Sequence, residues 1–270
     1  MRQYVARPPT QPLAKFAEYL WASQGAPPHA KERVVPTGTL ELAFTLVEDH
    51  GRIYDTPGRG RVFSGAFVSG AYRRPFTFET RENASVVGVH LRPGHAGVIL
   101  GVPPGELTDQ HVDLEALWGR RARELRERLC AATTMHQRFA ILEAALAARL
   151  DERQVHPAVT YALDALAQPD ARVRNIAKSV GLSQRRLIEL FTTAVGITPK
   201  RFGRIRRFQR AMALARRAGF DWTRVAHECG YYDQAHLIRD CRELADVTPT
   251  ELSRASAHPA EHHQLAVLEE

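Results

Sequence analysis

Apolar and polar positions alternate with a period of two over residues 34–92, and the spacing becomes helical after that. Leu40, Leu42, Phe44 and Leu46 alternate with Glu41, Ala43 and Thr45, while Val86, Val87, Val89 and Leu91 form a second apolar run. Between them lie Arg61-Val62-Phe63-Ser64-Gly65 and Pro75-Phe76-Thr77-Phe78-Glu79-Thr80, with turn residues at Gly51, Pro57, Gly58, Gly60, Gly65 and Gly70. Short strands with such frequent punctuation predict an antiparallel sandwich or small barrel. Ahead of it, the proline-rich residues 1–12 read as irregular. Leu13, Phe16, Ala17, Leu20 and Trp21 then have the spacing of a helical face. Beyond Arg92-Pro93-Gly94-His95 the pattern predicts a short helical piece from Ala96 to Leu100. Two helices follow, from Leu114 to Leu129 and from Met135 to Leu150, with Thr133 or Thr134 as the N-cap between them. They read as a hairpin joining two domains and as candidate dimerisation surface. Asp151 to Gln154 is a charged break, and Pro157 suits the first position of the next helix.

The remaining segment repeats itself. Ile176-Ala177-Lys178-Ser179-Val180-Gly181 returns as Val225-Ala226-His227-Glu228-Cys229-Gly230, and Ile197-Thr198-Pro199 returns as Val247-Thr248-Pro249. A period of about fifty residues marks a duplicated supersecondary unit. Each copy reads as a short helix, a glycine turn and a second amphipathic helix, the outline of a helix-turn-helix. Ser183 and Asp233 are the expected N-caps of the two second helices, and Gly196 the expected C-terminal stop of the first. Pro199 opens a long connecting helix running to about Ala218, with Lys200, Arg201, Arg204, Arg207 and Arg210 on its predicted exposed side.

Charge sharpens this picture. The chain of 270 residues carries a formal net charge of +7. Residues 172–254 hold 17 basic and 8 acidic side chains, against 20 and 22 in the remainder, so the duplicated segment carries the whole excess. A polyanion is the implied partner, and double-stranded DNA is the one that suits paired helix-turn-helix units. The candidates for DNA contact, to base or backbone, are Ser183, Gln184, Arg185, Arg186, Ile188 and Glu189 in the first unit and Asp233, Gln234, Ala235, His236, Ile238 and Arg239 in the second, with Lys200, Arg201, Arg204 and Arg207 of the connecting helix expected on phosphates. Arginine pairs bidentately with guanine and glutamine with adenine, which puts Arg185, Gln234 and Arg239 first. Glu189 either accepts from cytosine or pairs with Arg185 or Arg186. Tyr231 and Tyr232 read as packing against the turn.

Residues 156–255 resemble the DNA-binding domain of the AraC/XylS family of bacterial transcription regulators. The likeness is carried by Ile176-Ala177 through Gly181-Leu182-Ser183, by Leu187 with Leu190-Phe191, and by Gly196-Ile197-Thr198-Pro199. In the second unit it is carried by Val225-Ala226, Cys229-Gly230-Tyr231 and Asp233-Gln234-Ala235-His236-Leu237. The resemblance implies that the second helix of each unit enters a major groove and that a rigid helix joins the units. Asp246 stands where many members have glycine, and Leu237 and Cys241 where many have phenylalanine. The N-terminal part resembles the cupin-like sensor domains of some of these regulators through Arg92-Pro93-Gly94, Leu100-Gly101-Val102-Pro103, Glu106-Leu107-Thr108-Asp109 and Leu114 to Gly119. That implies a small-molecule effector or a homodimer, and RNA polymerase as a further partner if the protein activates.

The expected chain is thus α+β. It has a β-rich cupin-like domain at 1–112, a helical hairpin at 113–152, an all-α DNA-binding domain at 153–256 and a polar tail at 257–270. No run of 18 apolar residues is present and the start lacks a signal-peptide core, so the expected protein is cytoplasmic, without a membrane, cofactor, metal or catalytic role. Three readings compete. A metal-dependent cupin-type enzyme fused to a DNA-binding domain would use His90 and His95 with Glu79 or His111, but Arg92-Pro93-Gly94 separates the first two. Alkyl transfer would need an activated thiolate at Cys130, Cys229 or Cys241, all read as packed. RNA binding would need an aromatic platform that the pattern lacks. His258, His262 and His263 read as solvated in the tail.

Overall fold

The computed structural model describes residues 3–25, 31–56, 59–81, 84–151, 155–168, 171–217, 221–255 and 264–266. Its N-terminal strands are β1 (Gln3–Arg7), β2 (Ala17–Gln24), β3 (Lys31–Val34), β4 (Glu41–Thr45), β5 (His50–Thr56), β6 (Arg59–Ser64), β7 (Ala66–Ser69), β8 (Phe76–Glu79) and β9 (Ser85–Leu91). A short helix α1 (Ala96–Leu100) and strand β10 (His111–Asp113) follow. The helices α2 (Leu114–Trp118), α3 (Arg120–Ala131) and α4 (Met135–Ala147) then lead to α5 (Pro157–Leu166) and the duplicated segment. That segment holds α6 (Val173–Ser179), α7 (Gln184–Val195), α8 (Pro199–Arg217), α9 (Trp222–Glu228), α10 (Gln234–Ala245) and α11 (Pro249–Ala255), and β11 (Gln264–Ala266) closes the chain.

Two antiparallel sheets form the β layer, in the orders β1-β2-β9-β4-β7-β10 and β11-β3-β8-β5-β6. Their facing sides bury Trp21, Ala43, Ile53, Phe63, Phe67, Phe76 and Phe78. The outer side of the six-stranded sheet, with Leu20, Leu42, Phe44, Val68, Val87 and Val89, packs instead against helices. Both faces of its central strands are therefore apolar, and this explains the near-continuous runs in the sequence.

It also explains one misreading. The segment from Leu13 to Trp21 has helical spacing, yet only Leu13–Lys15 makes a single turn, and β2 pairs with both β1 and β9. Leu20, Trp21 and Ala22 are all buried, and a strand enclosed on both faces carries no alternation to distinguish it from a helix. Residues 1–12, expected to be irregular, supply the edge strand β1. Gly51 and Gly60, expected at turns, lie inside β5 and β6. The predicted helix from Leu114 to Leu129 is broken at Gly119, whose φ of +59° separates α2 from α3.

The hairpin forms with the cap expected of it. Thr134 accepts from the Gln137 backbone and Gln137 reaches back, a reciprocal capping box. Its apolar positions, Leu125 and Leu129 of α3 with Phe139, Leu142 and Leu146 of α4, are fully used against the sheet. Arg126 Nε donates to the Thr45 carbonyl at 2.9 Å and Arg7 pairs with Glu143 at 2.6 Å, tying the hairpin to β4 and β1. The buried side chains run from Leu13 to Leu252 in one continuous cluster, so the β layer and the helical segment share a core. Of the predicted tail, residues 264–266 pair with β3, while His258, His262 and His263 lie outside the described residues. The predicted break at Asp151 to Gln154 also falls largely outside them. No helix among the described residues is long and apolar enough to cross a membrane.

Candidate nucleic-acid interface

The two repeats fold alike. In each, a seven-residue helix ends at a glycine with positive φ, +69° at Gly181 and +74° at Gly230, a conformation that glycine adopts without a Cβ clash. The chain then turns into a twelve-residue helix, α7 or α10. Ser183 Oγ accepts from Arg186 N at 3.2 Å and Asp233 Oδ1 accepts from His236 N at 2.7 Å, so both predicted N-caps form. α7 buries Leu187, Phe191 and Val195; α10 buries Leu237, Cys241 and Leu244. At the end of α7 Gly196 takes φ +94°, and at the end of α10 Asp246 takes the same left-handed region at +56°. Aspartate tolerates that region better than most residues, which accounts for its standing where glycine was expected.

Opposite each buried stripe lies an exposed one. Gln184, Arg185, Arg186 and Glu189 are exposed on α7 and Ile188 is half-buried; Gln234, Ala235 and Arg239 are exposed on α10 and Ile238 is half-buried. Arg185 Nε donates to Glu189 Oε1 at 3.0 Å, and Arg186 lies 3.5 Å from the other oxygen. The hydrogen bond from Arg185 holds the Glu189 carboxyl below the usual carboxylate range. Of the two roles open to Glu189 in the sequence, this structure adopts the ion pair. Arg239 has no ion-pair partner among the described residues.

His236 departs from the predicted set. Its ring nitrogen lies 3.0 Å from Arg207 and its face meets Tyr231 edge-on, so it turns toward α8. Burial, then the neighbouring Arg207 charge, lowers its pKa. The reason lies in Asp240, wholly buried, which draws Arg204 to 2.6 Å and Arg207 to 3.4 Å. Arg204 also reaches Glu243 at 2.5 Å, and Arg207 stacks on the Tyr231 ring at 4.5 Å. Arg201 pairs with Glu243 and donates to the Arg73 carbonyl. The linker-helix arginines 201, 204 and 207, expected on an exposed phosphate-facing side, therefore knit α8 to α10. Periodicity marks them as polar, but only the partner Asp240 shows which way they turn. Arg210 donates to the Ala167 carbonyl at 2.6 Å, and Lys200 alone of the five is exposed.

Tyr231 is buried as expected, and Tyr232 is not. The latter is 93% exposed immediately ahead of the Asp233 cap, on the approach to the exposed stripe of α10. Two adjacent tyrosines between a turn glycine and an N-cap carry no periodic signal that tells which of them turns inward.

Two exposed helices on mirrored scaffolds find their counterpart in a family model. Residues 176–255 match a helix-turn-helix domain of the AraC type. This is an AraC-type DNA-binding domain. The chain that carries it is a DNA-binding transcription regulator. Residues 6–113 match a domain of unknown function, DUF6597. No curated protein matches the sequence. Among solved structures, ToxT of Vibrio cholerae in its unsaturated-fatty-acid-bound form aligns over 96% of this chain and 97% of its own, at 8% identity and a TM-score of 0.50. The C-terminal domain of AraT, a response regulator from Geobacillus stearothermophilus, aligns over 41% of this chain and 98% of its own, at 18% identity and a TM-score of 0.34. The ToxT likeness is one of fold, and it extends through both the β layer and the AraC-type domain.

The β layer closes against that domain. Gln209 of α8 donates to the Pro36 carbonyl at 2.6 Å, and Arg33 of β3 donates to the carbonyls of Ala245 and Asp246 at 3.2 and 3.1 Å. The predicted metal candidates stay apart, each with its own partner. His90 Nδ1 lies 2.8 Å from Glu41, His95 meets the Pro93 carbonyl, His111 meets the Tyr72 hydroxyl at 2.7 Å and Glu79 binds Tyr54. Among the described residues no three ligand-type side chains come together. Cys229 and Cys241 are buried, and burial pushes the Cys241 thiol up to about 12; Cys130, read as packed, is exposed.

Proposed function

We propose that the protein regulates transcription by reading a bipartite DNA site, with α7 in one major groove and α10 in the next. The observation that carries this reading is the pair of exposed stripes. Gln184 and Gln234 stand at the same place on two like-folded units, each directly after the N-cap, and Arg185 and Arg239 are exposed on the same two stripes. The 19 residues of α8 span about 28 Å at 1.5 Å each, close to the roughly 34 Å between successive major grooves on one face. The ion pairs from Arg204 and Arg207 to Asp240 hold α10 against that helix, so the spacing is rigid. Arg185 and Arg239 read guanine, Gln234 reads adenine, Ile188, Ala235 and Ile238 meet thymine methyls, and Lys200 and Arg186 contact phosphate. The β layer serves as the sensor that adjusts this reading, through its direct contacts with α8 and α10.

Selection of bound sequences from a random duplex pool by the full-length protein tests the reading. Two short motifs about one helical turn apart are the expected result. Binding without any motif that vanishes at moderate salt would reduce the basic segment to a nonspecific polyanion binder.

A further inference from the structure

Gly196 and Asp246 are equivalent residues of the two repeats. Each is the left-handed C-cap of its reading helix, and each directly precedes the repeated Ile197-Thr198-Pro199 or Val247-Thr248-Pro249. The β layer reaches both. Arg33 of β3 donates through one nitrogen to the Ala245 and Asp246 carbonyls, at 3.2 and 3.1 Å, and its other nitrogen lies 3.4 Å from the Asp246 carboxylate. Thr108, shortly before β10, donates its hydroxyl to the Gly196 carbonyl and lies 3.0 Å from that of Gly105. The last carbonyls of a helix have no partner within it, and they carry the negative pole of its dipole. A hydroxyl and a guanidinium are donors that suit this end.

At α7 the approach is backbone to backbone. A Cβ on Gly105 would stand 3.0 Å from the Thr192 carbonyl oxygen, and one on Gly196 would stand 3.2 Å from that of Pro104. The loop that carries Thr108 is itself tied to the end of β7, since Gly70 N donates to the Gln110 carbonyl at 2.8 Å and Asp109 N to that of Ala71 at 3.4 Å. Arg33 lies in register with Thr77 of β8. Both donors are thus built on the sheets. The residues assigned to bases, Gln184, Arg185, Gln234 and Arg239, stay exposed with these contacts made. The β layer holds the reading helices by their far ends and leaves their reading residues open.

The leverage at this point is large. A helix of 12 residues is about 18 Å long at 1.5 Å each, so a tilt of about 10° at its C-cap carries the first turn by about 3 Å. One base pair rises about 3.4 Å. The ion pairs to Asp240 lock α10 to α8 and act on the second unit, while the first finds a directional hold at Gly196. We propose that Thr108 and Arg33 are positioning residues for DNA recognition, which pin the C-caps of α7 and α10 to one frame and so set the half-site spacing that the protein accepts. The proposal rests on the bipartite reading given above and names the means by which the β layer adjusts it.

The test uses the full-length protein and the bipartite duplex it selects, rebuilt with the two motifs nearer together or farther apart by single base-pair steps. Fluorescence anisotropy gives the affinity for each duplex. The unsubstituted protein is expected to lose about tenfold per base pair of displacement. Thr108→Val combined with Arg33→Met should weaken the optimal spacing about tenfold and leave displaced sites within about twofold, so that the profile flattens. A duplex with one motif should bind the variant as it binds the native protein. Thr108→Ser keeps the hydroxyl and should keep the native profile. Thr108→Val alone, close in shape to the native residue, should flatten the profile in the same sense if the double variant does not fold. An unchanged profile in the folded variants, or equal losses on one motif and on two, would overturn the proposal. So would tighter binding at every spacing, which would make the two contacts a brake. A native protein indifferent to spacing removes the bipartite reading itself, whereas a steep native profile shared by the variants removes only the role of Thr108 and Arg33.

Discussion

Arg204 Nε stands 2.6 Å from Asp240 Oδ1, and the carboxylate it meets is wholly buried between α8 and α10. The pair fixes the second reading helix to the connector, so its loss should be felt as stability. Removing one partner of a buried ion pair typically costs about 3–5 kcal/mol, because the other charge is left uncompensated. Asp240→Ala, which leaves Arg204 with Glu243 alone and takes from Arg207 its ion pair, is expected to lower stability in urea unfolding by no more than about 3–5 kcal/mol. Arg204→Gln should leave the slope of log affinity against log salt unchanged. A slope smaller by about one unit would mean that Arg204 touches a phosphate after all.

Arg185 and Arg239 make the complementary case. Both are exposed on the stripes assigned to DNA, Arg185 in the first turn of α7 and Arg239 in the middle of α10. Arg185→Ala and Arg239→Ala should each cost about 1–3 kcal/mol of discrimination at one base position, in opposite halves of the site, with the melting temperature unchanged. Competition among single-base variants of the selected site measures this. Uniform weakening across all variants would move either arginine from base reading to phosphate contact.

Tyr232 is an exposed ring that the sequence pattern did not mark for DNA contact. Its side chain is almost wholly exposed beside the Asp233 cap, where the free N–H groups of a helix start would face an approaching phosphate. Tyr232→Ala is expected to weaken DNA binding about tenfold while thermal unfolding stays put, since nothing is unburied. Tyr232→Phe separates the two ways the ring could act. If the hydroxyl donates to phosphate, phenylalanine behaves like alanine; if the ring packs on the sugar, it behaves like the native residue.

The sequence revealed these elements unevenly, and for physical reasons. Repetition and capping are local, so both helix-turn-helix units, the Ser183, Asp233 and Thr134 caps and the glycine turns could be read from residue type and spacing. What depends on a distant partner could not. β2 was mistaken for a helix because Leu20, Trp21 and Ala22 are enclosed from both sides. The inward turn of Arg204, Arg207 and His236 depends on Asp240, whose burial no one-dimensional pattern announces. The indole of Trp21 finds its seat because Gly88 on the neighbouring strand lacks a side chain, a fact of pairing register. The exposed stripes of α7 and α10 were legible because what is left over after a buried stripe is assigned must face outward.

His111 supplies a test in pH. It is ringed by Phe63, Phe67, Tyr72 and Phe76, and burial with the nearby Arg61 charge lowers its pKa from 6.5 to about 3. The folded protein therefore refuses a proton that the unfolded chain accepts. Stability from this group is fully present above pH 6.5 and is lost progressively as the pH falls toward 3, because the unfolded state binds more protons throughout that window. At pH 5 the loss is about 2 kcal/mol, from 1.36 kcal/mol per pH unit. His236, whose pKa is also lowered, acts in the same direction, so the unsubstituted protein alone cannot apportion the effect. His111→Gln can, since it keeps a polar partner for the Tyr72 hydroxyl and does not titrate. Urea midpoints at pH 7.5 and pH 5 should lie closer together in His111→Gln than in the native protein. Equal separation in both would mean that His111 is solvated enough to take its proton in the folded state despite the aromatic rings around it.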